Sequence, residues 1–198
     1  MPCKRAKCTL VGIAGGSASG KTTFTAALKS HFDREYPALT VEIIGMDRYF
    51  YRGAPGGPLF VSPSSGEILP NNNHPNSADN DRLIADLKIL VSAEDAPDVV
   101  IVEGLMTLQI PELREILDLK IFIELDADIR ALRRLLRDTK GGRGSTDPEW
   151  ISTYYRECAR VGHNQFVEPS REYADLIIRG DSDFDRTAQF AAAAIRSL

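Results

Sequence analysis

Cysteine is scarce in this 198-residue chain: Cys3, Cys8 and Cys158 are odd in number, widely scattered and without a metal-ligand spacing. That pattern excludes a disulfide-stapled scaffold and a cysteine-built zinc site, and it suits a reducing compartment. No apolar run approaches the length that spans a bilayer, and the one behind the basic start at 2–7 is too short for a secretory signal. The expectation is a cytoplasmic protein with no membrane partner. Positive charge is not in excess either, with a net charge of -4 and a pI near 5.5, which argues against a broad nucleic-acid surface. No internal repeat is visible, and the length suits one compact α/β domain over 1–198 rather than two.

What the chain does have is Gly15-Gly16-Ser17-Ala18-Ser19-Gly20-Lys21-Thr22-Thr23, whose Gly-x4-Gly-Lys-Thr core is the phosphate-binding P-loop pattern. Its context fits. The run from Thr9 to Ala14 is short, apolar and partly β-branched, as a buried strand is, and Phe24 to Phe32 carries helical spacing. Glycines in such a strand-to-helix turn let the backbone N–H groups curl inward, beside the partial positive charge of a helix N-terminus. In this reading Lys21 reaches the β- and γ-phosphates and Thr22 places its hydroxyl on Mg²⁺, so ATP and Mg²⁺ are the expected cofactors.

Further strands are expected at 40–45, 98–104, 119–125 and 174–178, and helices at 79–90, 128–138, 148–163 and 184–198. Strand and helix alternate throughout, which predicts a three-layer α/β P-loop NTPase fold with a five-stranded parallel sheet and a small helical lid over about 128–147. Residues 53–73 are rich in Gly, Pro, Ser and Asn and read as a long substrate-side loop.

Phosphoryl transfer also needs a group that orients the attacking hydroxyl and cations that neutralise developing oxygen charge. Asp47, a carboxylate at the end of the second strand, is the candidate general base, and Glu103, closing the third strand, is the candidate holder of a metal-bound water. Tyr49, Phe50 and Tyr51 either wall the acceptor pocket or anchor the loop. Arg134 and Arg137 share a helix face from which both reach the same phosphates, ahead of the basic loop Lys140-Gly141-Gly142-Arg143-Gly144. Arg130 and Arg133 read instead as a solvated face paired with Asp126, Asp128 and Asp138. His163, near a helix end and without an evident partner, reads as structural.

The ensemble resembles the uridine kinase and phosphoribulokinase group of P-loop kinases, and the likeness covers most of the chain. It rests on 15–23, on Asp47 with Tyr49-Phe50-Tyr51, on Asn73-His74-Pro75 and on Val102-Glu103-Gly104. The Arg133-to-Asp138 helix and the tail from His163 to Asp175 extend it. The resemblance implies ATP-dependent transfer to the 5′-hydroxyl of a pyrimidine nucleoside. By it Asp47 is the base, Lys21, Arg134 and Arg137 face phosphates, and Arg143 belongs with the nucleotide. Tyr49, Tyr51, Asn73, His74 and Arg134 border the acceptor. It leaves a homo-oligomer open.

Three departures stand out. Asn73 replaces the Asp that contacts the sugar in that group, and keeps hydrogen bonding while losing charge. Only 91–97 lies where those kinases carry a base-clamping hairpin. One lid arginine is absent. Another riboside or sugar hydroxyl, such as nicotinamide riboside or a pentose phosphate, is therefore an alternative acceptor, and a regulatory nucleotide-binding protein an alternative class. No Asn-Lys-x-Asp guanine motif appears.

Overall fold

The computed structural model describes residues 8–141 and 145–198. Its centre is a parallel sheet of β1 (Thr9–Gly15), β2 (Val41–Gly45), β5 (Val99–Glu103), β6 (Leu119–Glu124) and β7 (Leu176–Arg179), in the spatial order β2-β5-β1-β6-β7. This is the expected five-stranded α/β sheet. Two short antiparallel strands, β3 (Leu59–Val61) and β4 (Ile68–Pro70), form a separate hairpin.

Both faces of the sheet are covered, which is why its strands read as near-continuous apolar runs. On one face Val11, Ile13, Ile101, Ile121 and Ile123 pack beneath α1 (Lys21–Glu35) and α7 (Phe184–Arg196), through Phe24, Leu28, Phe32, Ala188 and Ala192. Alternate residues Leu10, Val100, Val102 and Phe122 face the other way, against Leu83 and Leu87 of α2 (Asn80–Ser92) and Leu113 of α3 (Pro111–Ile116). Gly12 makes that second layer close, since a Cβ there would lie 2.3 Å from Leu117. Helix α3 has no counterpart in the sequence reading; it is six residues long, too short to show a period.

The loop expected over 53–73 needs correction, because it contains the β3–β4 hairpin. Phe60 and Leu69 turn inward from it and Leu59, Val61 and Ile68 outward. A two-stranded hairpin is marginal alone. This one is tied to α5 (Pro148–Tyr154) and the turn after it: Phe60 meets the Tyr154 ring edge-on at 5.6 Å, the Tyr154 hydroxyl donates to the Pro70 carbonyl at 2.9 Å, and the Ser62 hydroxyl donates to Glu157 at 2.6 Å. The helix expected over 148–163 starts as predicted but does not stay α-helical. π turns at Tyr155–Ala159 and His163–Val167 flank one α turn, α6 (Arg160–Gly162), and a 3₁₀ turn ends at Tyr173. Gly162 lets this segment press on the backbone of Asn73, whose carbonyl leaves no room for a Cβ there.

Connections diverge at the carboxyl end of β1: the path to β2 leaves to one side, whereas β5 to β6 crosses back over it. In an open α/β sheet that crevice is where ligands bind.

Candidate active site

The turn from β1 into α1 has the conformation the sequence requires. Gly15 and Gly20 lie at φ 140° and 106°, and Ala18 at φ 63°, a left-handed position that an L-residue occupies at some cost. Gly20 caps α1 without a side-chain hydrogen bond, and no acid stands in the first helical turn. The helix therefore presents its N–H groups and partial positive charge outward to an anion. Lys21 Nζ donates to the Gly15 and Gly16 carbonyls at 2.9 and 3.0 Å, which keeps its charge on the loop. Ser17, Ala18, Gly20, Lys21, Thr22 and Thr23 line a cleft of about 1350 Å³. Gly15, Gly16 and Ser19 shape the turn beneath it: a Cβ on Gly15 would meet the Ile123 carbonyl at 2.4 Å, and Ser19 is fully buried.

Glu103 ends β5 beside β1, in register with Ile13 on one side and Gly45 on the other. The Thr22 hydroxyl lies 3.2 Å from both Glu103 carboxylate oxygens. These are hard oxygen donors at the cleft, a fit for Mg²⁺, which prefers few protein ligands and keeps water or phosphate in its shell. Among the described residues no group of three or more His, Cys, Asp or Glu forms an all-protein metal cage.

Asp47 sits in a 3₁₀ turn, Met46–Tyr49, directly after β2, and lines the same cleft. Met46 buries itself under Gly104, where a Cβ would stand 2.5 Å from Met46 Cβ; Arg52 donates to the Asp47 carbonyl at 3.4 Å. Of the aromatic trio that follows, Phe50 reaches the cleft. Tyr49 and Tyr51, expected beside the acceptor, are placed elsewhere. The Tyr49 hydroxyl donates to Asp86 of α2 at 3.0 Å, and burial together with that carboxylate raises its pKa; Tyr51 packs against Gly56 and Gly57. The 3₁₀ turn ends at Tyr49 and the chain becomes extended at Phe50, which bridges to Ala78, so the three consecutive side chains leave in different directions.

Asn73 lines the cleft but is almost fully buried. Its amide donates to the Tyr154 hydroxyl and to Cys158 Sγ, each at 3.5 Å, so its Nδ2 side is engaged within the protein. His74 does not line the cleft: its Nδ1 accepts from the Asn76 N–H at 3.1 Å, and its ring meets Phe166.

On α4 (Ala127–Asp138) the expectation of a solvated face is overturned for Arg130, whereas Arg133 is exposed as expected but with a different partner. Arg130 is buried, donates to the Leu125 carbonyl at 2.9 Å and packs under Gly16, where a Cβ would stand 2.7 Å from its guanidinium; burial lowers its pKa. Arg133 donates to the Gly180 carbonyl at 2.9 Å and lines the cleft with Arg134 and Arg137. Positions 130, 133, 134 and 137 follow i, i+3, i+4, i+7, one helix stripe, while Leu132 and Leu136 face outward and exposed. An arginine stripe with leucines opposite it is a readable sign of a cleft-facing basic helix. Arg134 donates to the Ser17 hydroxyl at 3.4 Å, and Asp138, 2% exposed, pairs with Arg134 at 3.4 Å and Arg137 at 2.7 Å. Arg143 lies outside the described residues. Sequence reasoning also missed Trp150 and Tyr154 of α5, and Gly180, Asp181, Ser182 and Phe184 at the rim; all line the cleft.

His163 is buried as a structural residue. Nε2 faces Glu168 at 3.1 Å, but that carboxylate is half exposed; burial, then Arg130 and Lys21, push the imidazole pKa down to about 4. The unfolded chain thus binds the proton more readily below pH 6.5, so stability falls as pH drops from 6.5 to 4. A shift of that size corresponds to about 3 kcal/mol at its full extent. A His163→Gln variant is expected to show a flatter fall of Tm across that window; an unchanged slope would refute the assignment.

A P-loop, an acid at the end of the adjacent strand, a strand-end aspartate and an arginine helix around one cleft define a phosphotransferase of the P-loop kinase class. The model of the phosphoribulokinase / uridine kinase family matches residues 76–185. The uridine kinase of Bacillus cereus (strain B4264) is 37% identical over 193 residues, covering 87% of this chain and 85% of that protein. The chain belongs to this family and is an ATP-dependent phosphotransferase acting on a hydroxyl. Among solved structures, a candidate fructose transport system kinase from Silicibacter sp. TM1040 superposes with a TM-score of 0.66 at 17% identity, covering 90% of this chain and 93% of that one. A possible uridine kinase from Bacillus stearothermophilus gives 0.57 at 16%, covering 89% and 91%. Both share the fold. No helix among the described residues is long and apolar enough to cross a membrane.

Proposed function

We propose that this chain phosphorylates the 5′-hydroxyl of a pyrimidine nucleoside with ATP. The observation that carries the reading is the convergence on one cleft of the phosphate loop, the Thr22–Glu103 pair, Asp47 and Arg134. The acceptor oxygen attacks the γ-phosphorus, the bond to the β–γ bridging oxygen breaks, ADP leaves, and the hydroxyl proton passes to the Asp47 carboxylate. A loose transition state asks little basicity of Asp47, so its role is chiefly to aim the oxygen. The N–H groups of 15–20 cradle the phosphates, while Lys21, Arg134 and Arg137 neutralise charge on the transferring group and the leaving oxygen. Thr22 and Glu103 would hold Mg²⁺, which would supply charge neutralisation at the phosphate oxygens.

A specific observation keeps a different riboside in play. Helix α2 ends at Ser92 and β5 begins at Val99, so no hairpin stands between them to grip a base. The test is ADP release from ATP and Mg²⁺ against uridine, cytidine, nicotinamide riboside and pentose phosphates, with Lys21→Ala as control. Stimulation by uridine or cytidine, lost in the control, is expected. Stimulation by a different acceptor would replace the substrate, and by none would favour a regulatory nucleotide binder.

A further inference from the structure

Resting on that reading of the cleft as a kinase site, we propose that Trp150 is the specificity-determining residue on which the acceptor's planar ring is laid. Its indole stacks on Tyr154 with ring centres 5.1 Å apart and planes 14° from parallel, lines the cleft and remains 38% exposed. The other aromatic residues at the cleft are placed differently. Phe184 is packed edge-on against Phe24 beneath Gly20, at the phosphate end, and Phe50 packs on the core behind Asp47.

The platform is preorganised. Tyr154 is buried and held at its hydroxyl by donation to the Pro70 carbonyl at 2.9 Å and by acceptance from the Asn72 N–H at 3.4 Å, so the β3–β4 hairpin backs it. A ring placed against so fixed a surface loses little further conformational freedom. The platform also stands beside the reaction. The Arg134 guanidinium lies 5.6 Å from the Tyr154 ring centre while donating to Ser17 of the phosphate loop. One side chain therefore links the stack to the site of transfer. The hairpin and α5, distant in sequence from the link at 93–98, supply a ring-binding wall that the link is too short to provide.

Trp150 is the chain's single tryptophan, so its emission reports on this residue alone. With the protein saturated in a non-hydrolysable ATP analogue and Mg²⁺, uridine, cytidine and nicotinamide riboside are titrated, and ribose serves as the ring-free control. At least one ring-bearing probe is expected to quench the emission saturably, and ribose to leave it unchanged. Trp150→Ala is expected to raise the KM for the acceptor about 5- to 150-fold with the KM for ATP unmoved, and Trp150→Phe to restore most of the difference. No quenching by any ring-bearing probe, or an unchanged acceptor KM in Trp150→Ala, overturns the proposal even if ADP release proceeds. Quenching without acceptor-stimulated ADP release would sustain the ring platform and remove the kinase reading of the cleft instead.

Discussion

Replacing Asp47 with asparagine is expected to lower kcat by about 10²- to 10⁴-fold, the usual contribution of a positioned acid–base group, while ATP affinity changes by less than about threefold. Both halves follow from where Asp47 stands. It follows β2 by two residues and is held there by Met46 beneath Gly104 and by Arg52 on its own carbonyl, none of which depends on the carboxylate. An amide of the same shape therefore keeps the backbone and the cleft but cannot take the proton. The phosphate loop and Thr22–Glu103 lie on other elements, β1, α1 and β5, so nucleotide binding should persist. Single-turnover rates and equilibrium ATP binding separate the two. A variant that keeps more than a tenth of wild-type kcat would remove Asp47 from the reaction, whatever its effect on KM.

The sheet and the phosphate loop were legible because each depends on local sequence. Strands buried on both faces must be apolar almost throughout, as Val99 to Val102 is, and a turn with φ of 140° and 106° must carry glycine there. The order of the strands is not local and had to come from the structure. The β3–β4 hairpin was hidden because three-residue strands between Gly, Pro and Ser are shorter than any periodic signal. The contacts that hold Asn73 and Arg134 were hidden for a different reason. Asn73 meets Tyr154 across 81 residues, and Arg134 meets Ser17 across 117, contacts that no spacing rule reaches. Arg130 was misjudged although its place in the arginine stripe was visible. Charge suggested solvent, whereas the stripe and the outward leucines suggested an inward face, and geometry sided with the stripe.

Arg134→Ala is expected to lower kcat/KM by about 10²- to 10³-fold, the scale seen when one preorganised donor to transition-state charge is removed. Arg134 is suited to such a role: its side chain is 14% exposed, its orientation is fixed by Asp138 on the next turn, and it already donates to Ser17 at the phosphate loop. Electrostatic help is largest where water is excluded and the charge needs no reorientation. Lysine at 134 keeps the charge but not the planar fork, so it should recover part of the loss and no more. A structural objection is that truncation also strips Asp138 of one partner. Asp138 retains Arg137 at 2.7 Å, so the carboxylate does not become an unpaired buried charge, and Tm should move little. Asp138→Asn tests the positioning directly. If Asp138 acts by holding Arg134, the double variant should lose scarcely more activity than Arg134→Ala alone, because residues working through one another are non-additive. Additive losses would mean that Asp138 acts through Arg137, its closer partner, rather than through Arg134, and an Arg134→Ala enzyme within threefold of wild type would mean that Arg134 does not serve the transfer.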